Sequence, residues 1–269
     1  MKNLQTQSST LSNKELLIKK DSIRGHIYFV ASVCILFLIW LLVTDLLHLV
    51  NPLFLPSPFQ VANSFIRLLT ENSLLIDIYT TVGRVMIAFV LSVGIAIPLS
   101  LIISSSVVFK RVILPYIDFI RYIPVPVLIP LTILFFGIEE EAKIVLLFVG
   151  TFFQLVLLFC DDISQTPQEY FDLAFTLKFS WYEKVLLKLK SSLPEMYNNI
   201  RISLGLCWSY VVIVELVASE KGIGHMIKEA QRFSHTSDVF VGIILMGIIG
   251  FGSDYLFRIG YNKVFPYKK

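Results

Sequence analysis

The feature that most constrains this chain is the recurrence of apolar stretches long enough to cross a bilayer. An α-helix rises about 1.5 Å per residue, so about 20 apolar residues span a hydrocarbon core about 30 Å thick. Six such stretches stand out: Ile27–Leu47, about Thr81–Ile103, about Ile113–Phe136, Ala142–Cys160, about Ser203–Ala218 and Val239–Phe257. Backbone polar groups in lipid must be satisfied within the segment, so such runs fold as helices. Only 16% of the residues are charged and 55% are hydrophobic, against about 25% charged in a typical soluble domain. That leaves too little polar surface to cover a water-soluble fold. The sequence predicts an all-α polytopic membrane protein with about six transmembrane helices.

The first stretch is too long for the apolar region of a signal peptide, and no small-x-small cleavage site follows it. It reads as a retained helix preceded by a polar tail, 1–26. Orientation follows from the basic residues. With the N-terminus inside, segments 1–26, 104–112, 161–202 and 258–269 lie in the cytoplasm and hold sixteen of the 23 lysines and arginines. Segments 48–80, 137–143 and 219–238 lie outside and hold five. Both termini are expected to be cytoplasmic. The expected layout is a tail (1–26), a first helix (27–47), an extracytoplasmic linker with an interfacial helix (48–80), a five-helix core (81–260) and a C-terminal tail (261–269). The acidic run Glu139–Glu141 then faces out.

Three segments depart from plain spans. In 48–80, Pro56 and Pro58 stop helix propagation, and Phe59 to Leu69 regain helical periodicity. That segment reads as an interfacial helix or as a connecting loop with one amphipathic turn. The third stretch holds Pro115, Pro124, Pro126 and Pro130. Broken backbone at membrane depth is tolerated mainly beside protein or a water-filled path, so this is a bent helix near a translocation path or a structural kink. The loop 161–202 is too long for a turn. It carries helical spacing over Gln168–Leu177, an interruption at Lys178–Ser180, and a second helical segment, Trp181–Leu189, ahead of the fifth span. Its apolar residues suit either docking of a soluble partner or packing on the protein's own inner face.

No catalytic constellation appears. There is no phosphate-binding glycine loop, no His-Glu-x-x-His pair and no nucleophile elbow. All four histidines fall outside the spans, and the three cysteines lie far apart in apolar stretches, so no metal site is expected. A net charge of +3 gives no case for nucleic-acid binding. Four charges within or bordering spans, Arg84, Arg121, Glu215 and Asp254, either pair with other helices, reach for the interface, or line a permeation path.

Several ordered motifs together resemble the membrane permeases of bacterial ABC importers. They are Leu55–Pro58, Thr81-x-x-Arg84, Arg121–Pro124, Ile129–Leu131, Phe136–Ile138, Ala142–Ile144, Trp208 through Glu215, Gly222–Gly224 and Asp254. They look most like the branch serving aliphatic sulfonates, taurine, nitrate and thiamine precursors. The resemblance covers about residues 52–260. It implies a non-catalytic pore subunit of the bacterial inner membrane, working as a homodimer among membrane lipid. It also implies a cytoplasmic ABC ATPase that holds ATP and Mg, and an extracytoplasmic solute-binding protein. The loop between helices 4 and 5 would carry a coupling helix of Asp172, Leu173, Ala174, Leu177, Lys178 and Phe179, seated on the ATPase. Lys178 stands where the family has a turn glycine, and Lys190 where it has a proline. Gly222, Ile223 and Gly224 would face the binding protein. A stand-alone secondary transporter or channel is the alternative; it would not need a docking helix in 161–202.

Overall fold

The computed structural model describes residues 27–28, 30–71 and 73–268; the expected tail 1–26 lies outside them. The chain forms two compact units, 1–63 and 64–269. Among the described residues every regular element is helical.

In the first unit an apolar helix, α1 (Val30–Leu46), ends in a π-helical turn at Leu42–Leu46. The Trp40 indole donates to the Pro56 carbonyl at 3.0 Å. Helix α2 (Pro58–Thr70), which belongs to the second unit from Ser64 onward, begins at a proline, whose missing N–H costs nothing in the first turn. Ser57 and Gln60 exchange reciprocal side-chain-to-backbone bonds there, a capping box that explains why the helix starts where it does.

The second unit is a bundle centred on α6. Its long helices are α3 (Ser73–Ser105), α6 (Glu140–Ser164), α8 (Trp181–Ala218) and α10 (Thr236–Val264), each long and apolar enough to cross a membrane. Helix α3 packs chiefly on α6, and α6 on α8. The reason is legible along α3, where Ala88, Ser92, Ala96 and Ser100 recur every fourth residue and are fully buried. Lipid tails are as apolar as leucine, so helices in a bilayer associate through close packing and interhelical hydrogen bonds rather than hydrophobic exclusion. A stripe of small residues permits both. The Ser92 and Thr151 hydroxyls bond at 2.8 Å across the α3–α6 seam. Leu146, Leu147, Leu155, Val156 and Phe159 of α6 fill the space between α3 and the Leu204, Cys207, Val211 and Val214 face of α8.

The third apolar stretch is more than bent. Helix α4 (Val107–Arg121) ends at the residues before Pro124. A short 3-10 turn, Val125–Leu128, and α5 (Ile129–Phe136) follow at 89° to α4. Proline drives the preceding residue out of the helical region, which sets the break at Tyr122–Ile123. Each half is too short to cross a ~30 Å core alone. Pro115 and Pro98, by contrast, lie inside continuous helices. Among the described residues four helices are thus long and apolar enough to cross a membrane, or five with the bent pair counted as one; α1 is shorter.

The loop 161–202 also differs from its expected form. Helix α7 (Gln168–Thr176) is followed by a turn, but the second segment does not stop at Leu189; it runs without a break into the fifth span as part of α8. Ser180 and Glu183 start α8 with a capping box. Pro194 removes one i→i−4 bond, yet it is buried and the helix continues. Helix α9 (Ile223–Arg232) then precedes α10.

Candidate functional site

One end of the bundle is tied by a buried cluster of charges. Thr81 and Arg84 sit one turn apart on α3, so both face α8. Glu215 of α8 is wholly buried, and the Arg84 side chain is 3% exposed. The Arg84 guanidinium donates to Glu215 at 2.7 Å, to both oxygens of Glu140 at 2.6 Å and to the Lys221 carbonyl at 2.8 Å. Lys143 also reaches Glu140, at 3.0 Å. The Thr81 hydroxyl donates to the Glu215 carboxylate and accepts from the Ile223 amide. The Gly224 amide donates to Glu215 and the Gly222 amide to Asp77. Four helices, α3, α6, α8 and α9, therefore meet at one carboxylate and one guanidinium. Breaking a buried charge pair from one side costs about 3–5 kcal/mol, so the cluster acts as a clamp.

Of the four span charges, Arg84 and Glu215 are thus brought together. Asp254 lies toward the other end, 3.2 Å from both Arg201 of α8 and Arg258 of its own helix. Arg121 stands apart, at the helix break, with Nε 2.9 Å from Asp118 and a long contact of 3.5 Å to Gln154 of α6. The backbone of Gly222, Ile223 and Gly224 is turned inward onto the clamp, and Ile223 is fully buried. Sequence reasoning missed Asp77, Glu140 and Lys143 as members; Glu140 read as part of an outward acidic run. It also missed the Arg67–Asp238 ion pair (2.6 Å) and the Ser64–Ser237 hydroxyl bond, which join α2 to the start of α10. The one signal available was the Thr81-x-x-Arg84 spacing.

At the other end, α7 presents Tyr170, Leu173, Phe175 and Leu177 to the outside, with Phe175 79% exposed. Ala174 is the exception: it is fully buried within the chain's own fold, so it packs inward rather than standing free for a partner. Asp172 is exposed at the middle of α7, bonded to Gln168; the acid in the first turn is Glu169. The helix closes through a left-handed residue, Lys178, at φ 53°. The Phe179 amide reaches the Ala174 carbonyl (2.9 Å) and the Lys178 amide reaches Phe175 (3.1 Å). This is a Schellman closure, and it normally takes glycine. The turn survives the loss of glycine because those two bonds hold the lysine in place. A left-handed non-glycine residue costs about 1 kcal/mol. Lys178→Gly is expected to stabilise the loop by about that amount, read as roughly fivefold slower hydrogen exchange at the Phe179 amide. Unchanged or faster exchange would mean that the lysine side chain holds the loop by a contact of its own.

Residues 92–265 match the family described as binding-protein-dependent transport system inner membrane component. The chain is 29% identical over 223 residues to a putative aliphatic sulfonates transport permease protein of Bacillus subtilis, covering 82% of this chain and 81% of that one. It is 28% identical over 228 residues to the taurine transport system permease protein of Escherichia coli, covering 82% of each. Among solved structures, a chain of the methionine ABC transporter MetNI in inward facing conformations shares the fold. Its TM-score is 0.59 at 18% identity, over 71% of this chain and 97% of that one. The ordered motifs, the helical bundle built on α3, α6 and α8, and these matches agree: the chain belongs to the family of binding-protein-dependent transport system inner membrane components.

Proposed function

We propose that the chain works as the permease subunit of an ABC-type importer. It forms the translocation path for a small solute that a binding protein delivers, and a separate ATPase subunit drives it. The chain itself is non-catalytic; ATP and Mg belong to the partner. In this reading α1 is the first of six spans, both termini are cytoplasmic, the clamp lies at the outer end, and two copies pair around the path within the lipid. The named cargo of the relatives, aliphatic sulfonates and taurine, favours a small sulfonate-like solute. Gly222–Gly224 serve the binding-protein side by fixing the loop ahead of α9 rather than by offering side chains.

The observation that carries the ATPase-driven reading is the set of exposed apolar side chains on α7. Leu173 and Leu177 stand exposed one turn apart on a nine-residue helix held by a capped turn, and Phe175 stands exposed on the other side of buried Ala174. A stand-alone carrier has no use for so apolar a short helix in water. These side chains are the surface of the coupling helix, while Ala174 anchors it from behind. Replacing both Phe175 and Leu177 by glutamate leaves the chain's interior untouched. Co-purification of an ATPase in mild detergent is expected to fall at least about tenfold, or about 1.4 kcal/mol, with normal amounts of the permease in the membrane. ATPase retention at the parent level would remove α7 as the coupling element. Full uptake with no ATPase bound would favour the stand-alone carrier.

A further inference from the structure

The break between α4 and the 3-10 turn opens a cavity of about 270 Å³. Ile120, Ile123, Val125, Leu128, Val149 and Tyr210 form most of its wall, and Arg121 is its one charged lining residue. Asp118, the ion-pair partner of Arg121, sits one turn back on α4 and does not line it. The other groups on the Arg121 guanidinium are neutral: Gln154 of α6 at 3.5 Å and the Tyr122 hydroxyl at 3.1 Å. The terminal nitrogens therefore meet only neutral partners, one of them at a long distance, and most of the side chains around them are hydrophobic. Gly150 is what lets α6 approach, because a Cβ there would press on Val125 and Tyr210.

From this we infer that the cavity at the helix break is a transit subsite for a small organic anion, with the Arg121 guanidinium as its electrostatic partner. The inference rests on the permease reading and adds the place at which the charge of the solute is met. Three physical points support it. A cleft whose charged lining is of one sign raises the local concentration of the matching ion by about 10- to 1000-fold; Asp118, paired with Arg121 outside the lining, sets the effect here at the low end of that range. Guanidinium offers a planar fork of donors that suits sulfonate or carboxylate oxygens. The volume lies just under the range of about 300–1,000 Å³ usual for drug-sized ligands, so it selects a solute of a few heavy atoms. The prolines matter as well, since a continuous helix through 121–125 would fill this space with its own backbone.

The test reads the potential of the cavity directly. Val149→Cys places a thiol on the α6 wall, in a protein in which Cys34, the exposed cysteine, is replaced by serine; Cys160 and Cys207 are buried. The probes are two methanethiosulfonates, one carrying a sulfonate and one a trimethylammonium group, with rates normalised to those on a free thiol. The sulfonate reagent is expected to react at least about tenfold faster. Arg121→Gln should abolish that preference and Arg121→Lys should keep it. Reaction with no anion preference, a preference that survives Arg121→Gln, or a thiol that neither reagent reaches would each overturn the subsite. Labelling of the protein without Val149→Cys sets the background, and equal gel-filtration profiles show that the Arg121 variants are folded. ATPase co-purification is measured on the same samples. Its loss with the anion preference intact would overturn the coupling assignment alone, and the reverse outcome would overturn the subsite alone.

Discussion

Arg84→Met is expected to be among the most damaging single substitutions in this chain. It leaves Glu215, with no solvent exposure, facing only the Thr81 hydroxyl and the Gly224 amide. An unpaired buried charge of this kind costs about 3–5 kcal/mol. For a chain of this size that lowers the thermal midpoint by about 10 °C, measured on the purified protein in mild detergent. Glu140 suffers less, because its side chain is half exposed and keeps Lys143. Removing the second charge as well, in Arg84→Met with Glu215→Gln, should therefore recover part of the loss. Well-packed neutral replacements of a buried pair are often tolerated. A midpoint for Arg84→Met within about 1 °C of the parent would show that the cluster does not clamp the bundle.

The second large effect is expected at Gly222. Its φ of 113° and ψ of 162° fall in a region that only glycine enters without strain. A Cβ there would also run into the Glu215 carboxylate. Strain of about 1–3 kcal/mol adds to an overpacking cost of similar size. Gly222→Ala should thus destabilise the clamp by about 3 kcal/mol and, through it, the start of α9. Gly83 is the matched control: it lies on the same helix as Thr81 and Arg84, and a Cβ added there meets nothing within 4 Å. Gly83→Ala should leave the thermal midpoint unchanged or raise it slightly. Equal midpoints for Gly222→Ala and Gly83→Ala would remove the steric argument.

The two sites differ in how far the sequence exposed them. Arg84 and Glu215 drew attention because charges in apolar runs are expensive and need a partner. Their partnership with each other, across 131 positions of chain, has no local signal. Glu140 shows the same limit from the other side. In sequence it belongs to an acidic run beside a span, and only the approach of α3 to α6 makes it the bidentate acceptor of Arg84. In the 161–202 loop the helical spacing of Gln168–Leu177 was visible, as was the break after it. Which residues face outward was not. Ala174 and Phe175 are adjacent, yet one is fully buried and the other almost free, because α7 rests against the side of α8.

What the sequence by itself determined follows from rules that act within a single segment. Apolar runs of about 20 residues must be helices in lipid, since no other local structure satisfies their backbone. The four prolines 115, 124, 126 and 130 mark the third run as the one to bend, without saying which of them breaks it, and the basic residues favour one side. Those rules are enough for an all-helical membrane protein with a broken span and a helical loop. The tertiary structure decided the rest. It joined the end of the 161–202 loop to the fifth span as one 38-residue helix, because burial of Pro194 and a capped start at Ser180 outweigh the bond that the proline removes. It turned Gly222–Gly224 inward onto Glu215, gave Lys178 the left-handed turn, and set an arginine in the wall of a cavity at the point where two half-helices diverge. Each of these depends on contacts between residues far apart in the chain, and such contacts form only once the helices have packed.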